Sequence, residues 1–552
     1  MTKYYIVIIS NIYFFLFPIY ATSIHFVDVT DLAGIDFKNE SGNAEKHFII
    51  ETQSAGGSFA DLTGDGRLDI FLTNGVSNDS QDRNPGSALF KNIGNGMFVN
   101  HTDQSHARIQ GWTMGMAIAD YDSDGDRDLY VTRWGEDVML NNNGSGYFKD
   151  ITKKAGLGSS SWGIGAAFAD YDIDGDLDLF VANYIVFEKN GPPFFDKTCK
   201  HNGIDAACGP IGAIPEPNLL YENNGEGLFT EVGHSNPISQ QNYYSMGVAW
   251  LDYNNDGHQD IYVANDGHPN SLFENNDGVF VNNSLIQSVA YSGNGRAQAG
   301  MGIAVGDYDN DGFFDLFVTN FAQDHNTLYK NSGKGYFSDV SGKAGLAGSS
   351  RAFMGWGTFF FDADKDGWED LFVANGHLMP EIDKAGVSLK YHQRNQFYHN
   401  TSNGKFVDIS EKLGPALQSE QVSRGAAFGD YDNDGDLDIL VANLDSKPSL
   451  LRNQTKSDYN WISIQLRSKG LNTDAIGAKI RVSDGVNAQI REVRTGTSFQ
   501  AQNDIRQYFG LGRANKVNVE IIWPDGTQNE FKHVGVNRFL TIDHENSSIN
   551  TE

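Results

Sequence analysis

A nine-residue acidic pattern, Asp-x-Asp-x-Asp-Gly-x-x-Asp, recurs seven times along the chain, and no other feature restricts the fold as strongly. The copies begin at Asp61, Asp120, Asp170, Asp252, Asp307, Asp362 and Asp430, at intervals of 50 to 82 residues. They share one frame. A glycine stands five residues before each first aspartate: Gly56, Gly115, Gly165, Gly247, Gly302, Gly357 and Gly425. A short apolar strand follows each loop, and in six copies it ends in Asn thirteen residues after the first aspartate, with Arg133 the exception. A second strand and turn, of the form NTLYKNSGKGYF, close on Phe98, Phe148, Phe229, Phe280, Phe337 or Phe406. Each unit therefore holds about four short strands and no amphipathic helix, which is the content of a propeller blade. A β-solenoid is the competing architecture, but its repeats are usually shorter.

The ends of the repeat region decide between them. The seventh unit stops after LLRN at Asn453 and lacks its last strand. The segment Phe26-Val-Asp-Val-Thr repeats Phe406-Val-Asp-Ile-Ser, the piece that is missing. A ring whose first strand completes its last blade accounts for both and removes the exposed sheet edges. The expected fold is all-β: a seven-bladed β-propeller over 24–454, followed by a small β-sandwich-like domain over 455–545, where WISIQL and VNVEIIW alternate as half-buried strands do. Residues 546–552 are expected as a tail.

The loops read as calcium sites. Carboxylates at positions 1, 3, 5 and 9, with glycine at 6 for a sharp turn, converge on one side of the loop, and the position-7 carbonyl adds a further oxygen. Such an anionic, oxygen-only cage suits a hard cation, and its flexibility favours Ca²⁺ over Mg²⁺. The candidate ligands are Asp61, Asp65 and Asp69; Asp120, Asp122, Asp124 and Asp128; Asp170, Asp172, Asp174 and Asp178; and Asp252, Asn254, Asp256 and Asp260. The remaining three loops offer Asp307, Asp309, Asp311 and Asp315; Asp362, Asp364, Asp366 and Asp370; and Asp430, Asp432, Asp434 and Asp438. An Asp/Asn/Gly turn without metal is the alternative for any one copy. Seven copies crowding like charges favour a cation. The first and fourth loops, with Thr63 and Asn254 at position 3, make the poorest cages.

Composition closes off other classes. There are 41 basic against 71 acidic residues, a formal net charge of −30, and the surplus would repel a polyanionic nucleic acid. At 39% apolar residues the chain has enough hydrophobic material for a core. Residues 4–21 form an apolar run after Lys3, followed by small residues. The run reads as a secretory signal peptide over 1–23, with an uncleaved anchor as the alternative, and no other stretch is long enough to span a membrane. The only two cysteines, Cys199 and Cys208, lie in a Pro/Gly-rich insertion. In an exported chain they form a disulfide, whereas CxxC spacing and further thiol ligands for a metal are missing. The chain is thus expected to be secreted, periplasmic or at the cell surface, with no transmembrane segment once the leader is removed. Asn100 and Asn400 lie in Asn-x-Ser/Thr sequons.

The loops and their flanks resemble the FG-GAP/VCBS repeats of integrin α-chain propellers, where equivalent loops bind calcium structurally. After Asn453, the elements Ile476-Gly-Ala, Tyr508-Phe-Gly-Leu-Gly and Trp523-Pro-Asp-Gly are similar to the ASPIC/UnbV domain. That domain follows such propellers in the cartilage acidic protein family and its bacterial relatives. The resemblance spans nearly the whole mature chain and implies adhesion-like binding of an extracellular protein or glycan. Fold alone assigns no function. Propeller geometry places Trp112, Arg133, Trp134, Trp162, Tyr184, Tyr244, His268, His325, Arg351, His377 and Arg424 on the face opposite the acidic loops, as recognition anchors or as packing at the ring's mouth. An enzyme is the alternative. His268, His325 and His377 follow equivalent positions in consecutive units and would meet near the axis to hold a transition metal or work as acid and base. Relatives in natural-product gene clusters keep that option open, with polysaccharide cleavage a weaker one, although no HExxH, Ser–His or Cys–His signature is present.

Overall fold

The computed structural model describes residues 24–77, 85–188, 199–201, 203–545 and 547–551. The expected signal peptide, 1–23, lies outside these residues. The repeat region forms seven sheets of the same plan, one for each acidic loop. In the second, for example, Thr113–Ala119, Asp128–Arg133, Val138–Asn141 and Lys149–Asp150 pair antiparallel in order, and the acidic loop is the turn between the first two strands.

The first strands of the sheets are Gly57–Ala60, Thr113–Ala119, Gly163–Ala169, Ser245–Leu251, Ile303–Gly306, Gly355–Phe361 and Ser423–Gly429. Each packs on the first strand of the next sheet, and the last packs on the first, so the ring closes. Close approach explains the recurring glycine. A Cβ at Gly115 would lie 2.4 Å from the Ile164 carbonyl oxygen, one at Gly247 2.3 Å from that of Met301, and one at Gly302 2.1 Å from that of Trp356. Only a residue without a side chain fits there. The last sheet is completed by Phe26–Asp28, with Phe26 opposite Asn453, as the terminal repeat implies.

A second ring of contacts ties neighbouring sheets. Asn92, Asn142, Asn223, Asn275, Asn331, Asn400 and Asn453 each donate through Nδ2 to the carbonyl of the second residue of the preceding sheet's acidic loop, at 2.7 to 3.1 Å. The backbone N–H of each also donates to the position-9 aspartate of its own loop, at 2.7 to 2.9 Å. These buried latches satisfy carbonyls that would otherwise face neither water nor strand. Asn400 is therefore 1% exposed and closed to glycosylation, whereas Asn100 is exposed.

The C-terminal domain consists of two four-stranded sheets sharing a core of Ile462, Ile480, Phe509, Val519, Trp523 and Leu540. The expected tail is corrected: Ser548–Thr551 pairs with Arg538–Asp543 and adds an edge strand. Between these sheets the chain leaves the domain and enters the ring. The channel walls present backbone groups of the inner strands that lack partners, and residues 495–503 supply them. Thr495 Oγ1 accepts from the Phe168 N–H and donates to the Phe168 carbonyl, at 2.7 and 2.8 Å. The Gln502 amide does the same with Ile118, both at 2.8 Å. Ser498 exchanges backbone hydrogen bonds with Ile303, and its hydroxyl accepts from Thr358 and donates to Ala426. Ala501–Gln502 lies parallel to Gly57–Ser58. Gly496, at φ +52°, permits the entry, because a Cβ there would sit 1.9 Å from the Ala166 carbonyl oxygen. At the tip, Phe499 is buried 4.9 Å from the Trp356 ring.

Candidate metal centres and the opposite mouth

Six of the seven acidic loops share one hydrogen-bond pattern; in the third, Asp170 accepts only the Gly175 N–H, and the Asp174 N–H donates to Asp172. In the six, the position-1 carboxylate accepts the backbone N–H groups of positions 5 and 6: Asp120 from Asp124 and Gly125 at 3.1 and 3.0 Å, and Asp430 from Asp434 and Gly435 at 3.1 and 2.8 Å. This turn folds the loop back so that positions 3 and 9 face position 1. The residue at position 4 takes a left-handed φ in six loops: Ser123, Ile173, Asn255, Asn310, Lys365 and Asn433, with Gly64 in the first.

Five loops bring three carboxylates together with ligand atoms within 4.8 Å of one another: Asp120, Asp122 and Asp128; Asp170, Asp172 and Asp178; Asp307, Asp309 and Asp311; Asp362, Asp364 and Asp366; and Asp430, Asp432 and Asp438. Within them, Asp122 Oδ1, Asp128 Oδ2, Asp170 Oδ1, Asp309 Oδ1 and Asp432 Oδ1 are buried oxygens that accept no hydrogen bond. Burial, reinforced by the neighbouring carboxylates, pushes Asp128 up to about 9, Asp170 to about 7 and Asp430 to about 8, and lifts Asp362 well above the ordinary range. Each cluster thus resists carrying its full negative charge on its own. A hard divalent cation would take up the unpaired oxygens and remove the repulsion, and the all-oxygen donor set fits one. Asp124, Asp174, Asp434, Asp315 and Asp370 complete these loops at positions 5 or 9; His399 Nδ1 lies 2.9 Å from Asp370 Oδ1.

The first and fourth loops are different. In the first, Thr63 replaces the third carboxylate, and Asp65 is paired with Arg67 at 2.8 Å and Lys91 at 3.2 Å, while Asp61 and Asp69 accept backbone N–H groups. In the fourth, Asn254 donates to Asp256, and Lys479 of the C-terminal domain reaches Asp252 at 2.6 Å; Asp260 holds the latch of Asn275. Protein cations neutralise part of both loops, as Lys330 does in the fifth, where it pairs with Asp309 and Asp311; what sets the first and fourth apart is the missing position-3 carboxylate. The C-terminal domain also docks on the second and seventh loops. Asp474 accepts the Asp120 N–H and pairs with Arg127 at 2.9 Å, Thr473 donates to Asp120, and Arg506 donates to the Asp430 carbonyl at 3.0 Å.

At the opposite mouth the expected recognition residues are largely interior. Trp162, Tyr184, Tyr244, His325, His377 and Arg424 are all less than a tenth exposed, Trp112, Arg133, Trp134 and His268 are half-buried, and Arg351 alone is exposed. The reason is packing. Trp162, Tyr184 and Tyr244 join Met246, Met301, Trp356 and Phe499 in one apolar cluster. Arg424 spans the mouth as a clamp, its guanidinium 4.1 Å over Trp356 and donating to the carbonyls of Thr52, Gly376, Ser423 and His377. The three histidines have separate surroundings. His268 stacks on Tyr243, His325 lies 3.7 Å from Asp339, and His377 accepts the Met379 N–H. Among the described residues no histidine enters a group of three ligands, and the axis is filled by Phe499. The mouth is roofed on one side by a two-stranded hairpin, Cys199–His201 and Ile204–Ala206, with the expected disulfide between Cys199 and Cys208. The plug and the Asn latches escaped the sequence reading; the latch has a signal, an Asn in each of LFKN, LYEN, LFEN, LYKN, FYHN and LLRN.

Among the described residues no helix is long and apolar enough to cross a membrane. The chain is 27% identical over 277 residues to cartilage acidic protein 1 of Homo sapiens, a match covering 48% of this chain and 39% of that protein. With the Xenopus tropicalis protein of the same name it is 26% identical over 282 residues, covering 49% and 40%. The match thus spans about two fifths of the length of these relatives. Among solved structures, that of BBS1N in complex with ARL6DN aligns with a TM-score of 0.42 at 12% identity, covering 78% of this chain and 98% of that one. A lectin structure from Agrocybe aegerita aligns at 0.39 and 17%, covering 72% and 87%. The FG-GAP-like repeat matches six overlapping or successive stretches, 61–131, 120–181, 211–263, 252–318, 309–373 and 385–466, and the ASPIC and UnbV domain matches 468–549. The chain belongs to the FG-GAP-like repeat family and carries an ASPIC and UnbV domain at its C-terminal end.

Proposed function

We propose that the protein is an exported, calcium-stabilised seven-bladed propeller that acts as an interaction scaffold for an extracellular protein or glycan. One observation carries the calcium reading: buried, mutually repelling carboxylates converge in five loops while several of their oxygens accept no hydrogen bond. In this reading Asp120, Asp122 and Asp128, with their counterparts in the third, fifth, sixth and seventh loops, hold one ion each. The first and fourth loops, which lack the position-3 carboxylate and bring no three carboxylates together, bind weakly or not at all. The ion is structural, since each loop joins the first two strands of its sheet and carries the carbonyl to which the next sheet is latched. The disulfide supports export, because such bonds persist in oxidising compartments. The three histidines that the catalytic alternative needs together have separate surroundings, which supports binding as the reading.

The test is calorimetric. After chelation and desalting, calcium titration should show about five strong sites, and the melting temperature should rise with calcium. A ligand at a hundred times its Kd adds about 2.7 kcal/mol per site, so filling several sites should raise the melt by roughly 10 °C or more. A melt indifferent to chelator would sink the reading. Binding to arrayed glycans and extracellular proteins, with calcium and with chelator, tests the scaffold role.

A further inference from the structure

The mouth opposite the C-terminal domain opens into a cavity of about 850 Å³, within the ~300–1,000 Å³ usual for small-molecule sites. Its floor is apolar and fixed. Met246, Met301 and Met354 line it beside Trp356, whose Nε1 donates to the Gly376 carbonyl at 2.8 Å and whose ring is held between Arg424 and Phe499. The polar groups are few. Tyr184 donates to Asp266 at 2.7 Å, and next to it Gln53, only 1% exposed, has an Oε1 that accepts no hydrogen bond. His201 Nε2, on the hairpin side of the cavity, is likewise buried without a partner. A buried polar atom in a native fold is nearly always paired with protein, water or ligand, so these two are groups that a molecule in the cavity can engage. The rim is apolar again: Ile211 lines the cavity while 90% exposed, and Ile214 beside it is 69% exposed, neither contributing to a core. Charges are few: Lys200 is paired with Asp205, Asp266 is engaged by Tyr184, and the half-buried Asp324 adds one carboxylate at the wall.

We propose that this cavity binds a neutral amphiphile, a small molecule with an aromatic or aliphatic body for the methionine–tryptophan floor and a hydroxyl or N–H donor for Gln53 Oε1. The site does not depend on metal in the acidic loops. Methionines adapt their shape to irregular apolar surfaces, which suits a flexible or variable body.

N-phenyl-1-naphthylamine, neutral and aromatic with a single N–H, is the probe. Titrated into the full chain, with calcium and with chelator, it should brighten saturably at one molecule per chain. Gly209 lines the cavity, and a Cβ there meets no atom within 4 Å, so Gly209→Trp introduces bulk at the cavity wall without a clash at Cβ. It should weaken the probe at least tenfold. Ile211→Asp, at an exposed position, should weaken it about three- to tenfold with an unchanged melt. Fluorescence that fails to saturate, or that is identical in both variants, is surface adsorption and overturns the proposal. Displacement by neutral mono- and disaccharides, but not by alkyl or aryl alcohols, overturns the ligand class. If chelation unfolds the ring and takes the probe with it, the calcium reading is supported and the cavity is then judged on the variants in calcium alone.

Discussion

The two ends of the ring are made by the same inner strands and have opposite chemistry. Where a strand begins, at Met246, Met301 or Trp356, it contributes to an apolar mouth with a large cavity. Where it ends, it runs into a loop of buried aspartates on which the C-terminal domain docks through Asp474, Lys479 and Arg506. The glycine between them lets neighbouring strands approach. One end is thus held by charge and by a second domain, and the other by apolar packing with the Arg424 clamp across it.

The sharpest way to break this contrast is pH. Without metal, the loop aspartates have folded-state pKa values above their unfolded ones: about 9 for Asp128, about 8 for Asp430 and about 7 for Asp170 and Asp307. Between about pH 4 and 9 the folded state then holds more protons than the unfolded one, so stability falls as pH rises through that window. Calcium needs the deprotonated loops, so its contribution runs the other way. Melts from pH 5 to 8 should therefore rise with pH in calcium and fall with pH in chelator, and the two curves should diverge most at pH 8. Parallel curves would mean that the loops carry no metal-linked titration.

The plug joins the two ends, and Phe499→Ala tests whether it holds both. Removing a buried aromatic of this kind costs about 3–5 kcal/mol. The expected signature is a lower melt together with altered Trp356 fluorescence, while the isolated core of the C-terminal domain, built on Trp523 and Phe509, keeps its fold. A Trp356 signal indifferent to the change would place the tip elsewhere. Next in size is a comparison within the loop end. Asp128→Ala should remove one bound calcium and lower the stability by about 2–3 kcal/mol, the value of one filled site. Asp65→Ala should leave the stoichiometry unchanged, because Arg67 and Lys91 already compensate that carboxylate. Equal losses in both variants would erase the distinction between the loops.

How much of this was legible follows from what each device needs in sequence. The sheets, the ring closure through Phe26 and the acidic loops are written in local repeats, because each unit must make the same turn and the same close approach. Gly115 and Gly302 recur for a reason the sequence alone conceals, a carbonyl 2.1 to 2.4 Å away from an absent Cβ on the neighbouring sheet. The plug has no repeat to reveal it. Thr495 and Gln502 each match one strand of the ring and Ser498 bridges three, and their role depends on contacts more than 300 residues distant in two of the three cases. The mouth residues were open to two readings for a related reason. Trp162, His377 and Arg424 have the composition of a recognition surface, but the same composition packs a mouth once the ring narrows around it, and burial places these three in the packing.

The smallest expected effect belongs to the disulfide, and it probes the mouth end alone. Closing a loop of about ten residues restricts the unfolded chain by about 3 kcal/mol in the chain-entropy account, yet only where that loop unfolds with the rest. The hairpin Cys199–His201 and Ile204–Ala206 is a separate two-stranded sheet that shares no ladder with the ring. Its opening is therefore a local event, and local events leave the global transition nearly untouched. Cys199→Ser with Cys208→Ser should shift the melt by about 1 °C or less, while limited proteolysis between 199 and 208 accelerates and the naphthylamine probe binds more weakly, since both cysteines line the cavity. A large drop in the melt would show instead that the hairpin is part of the ring's cooperative unit, and the mouth would then be as firmly built as the loop end.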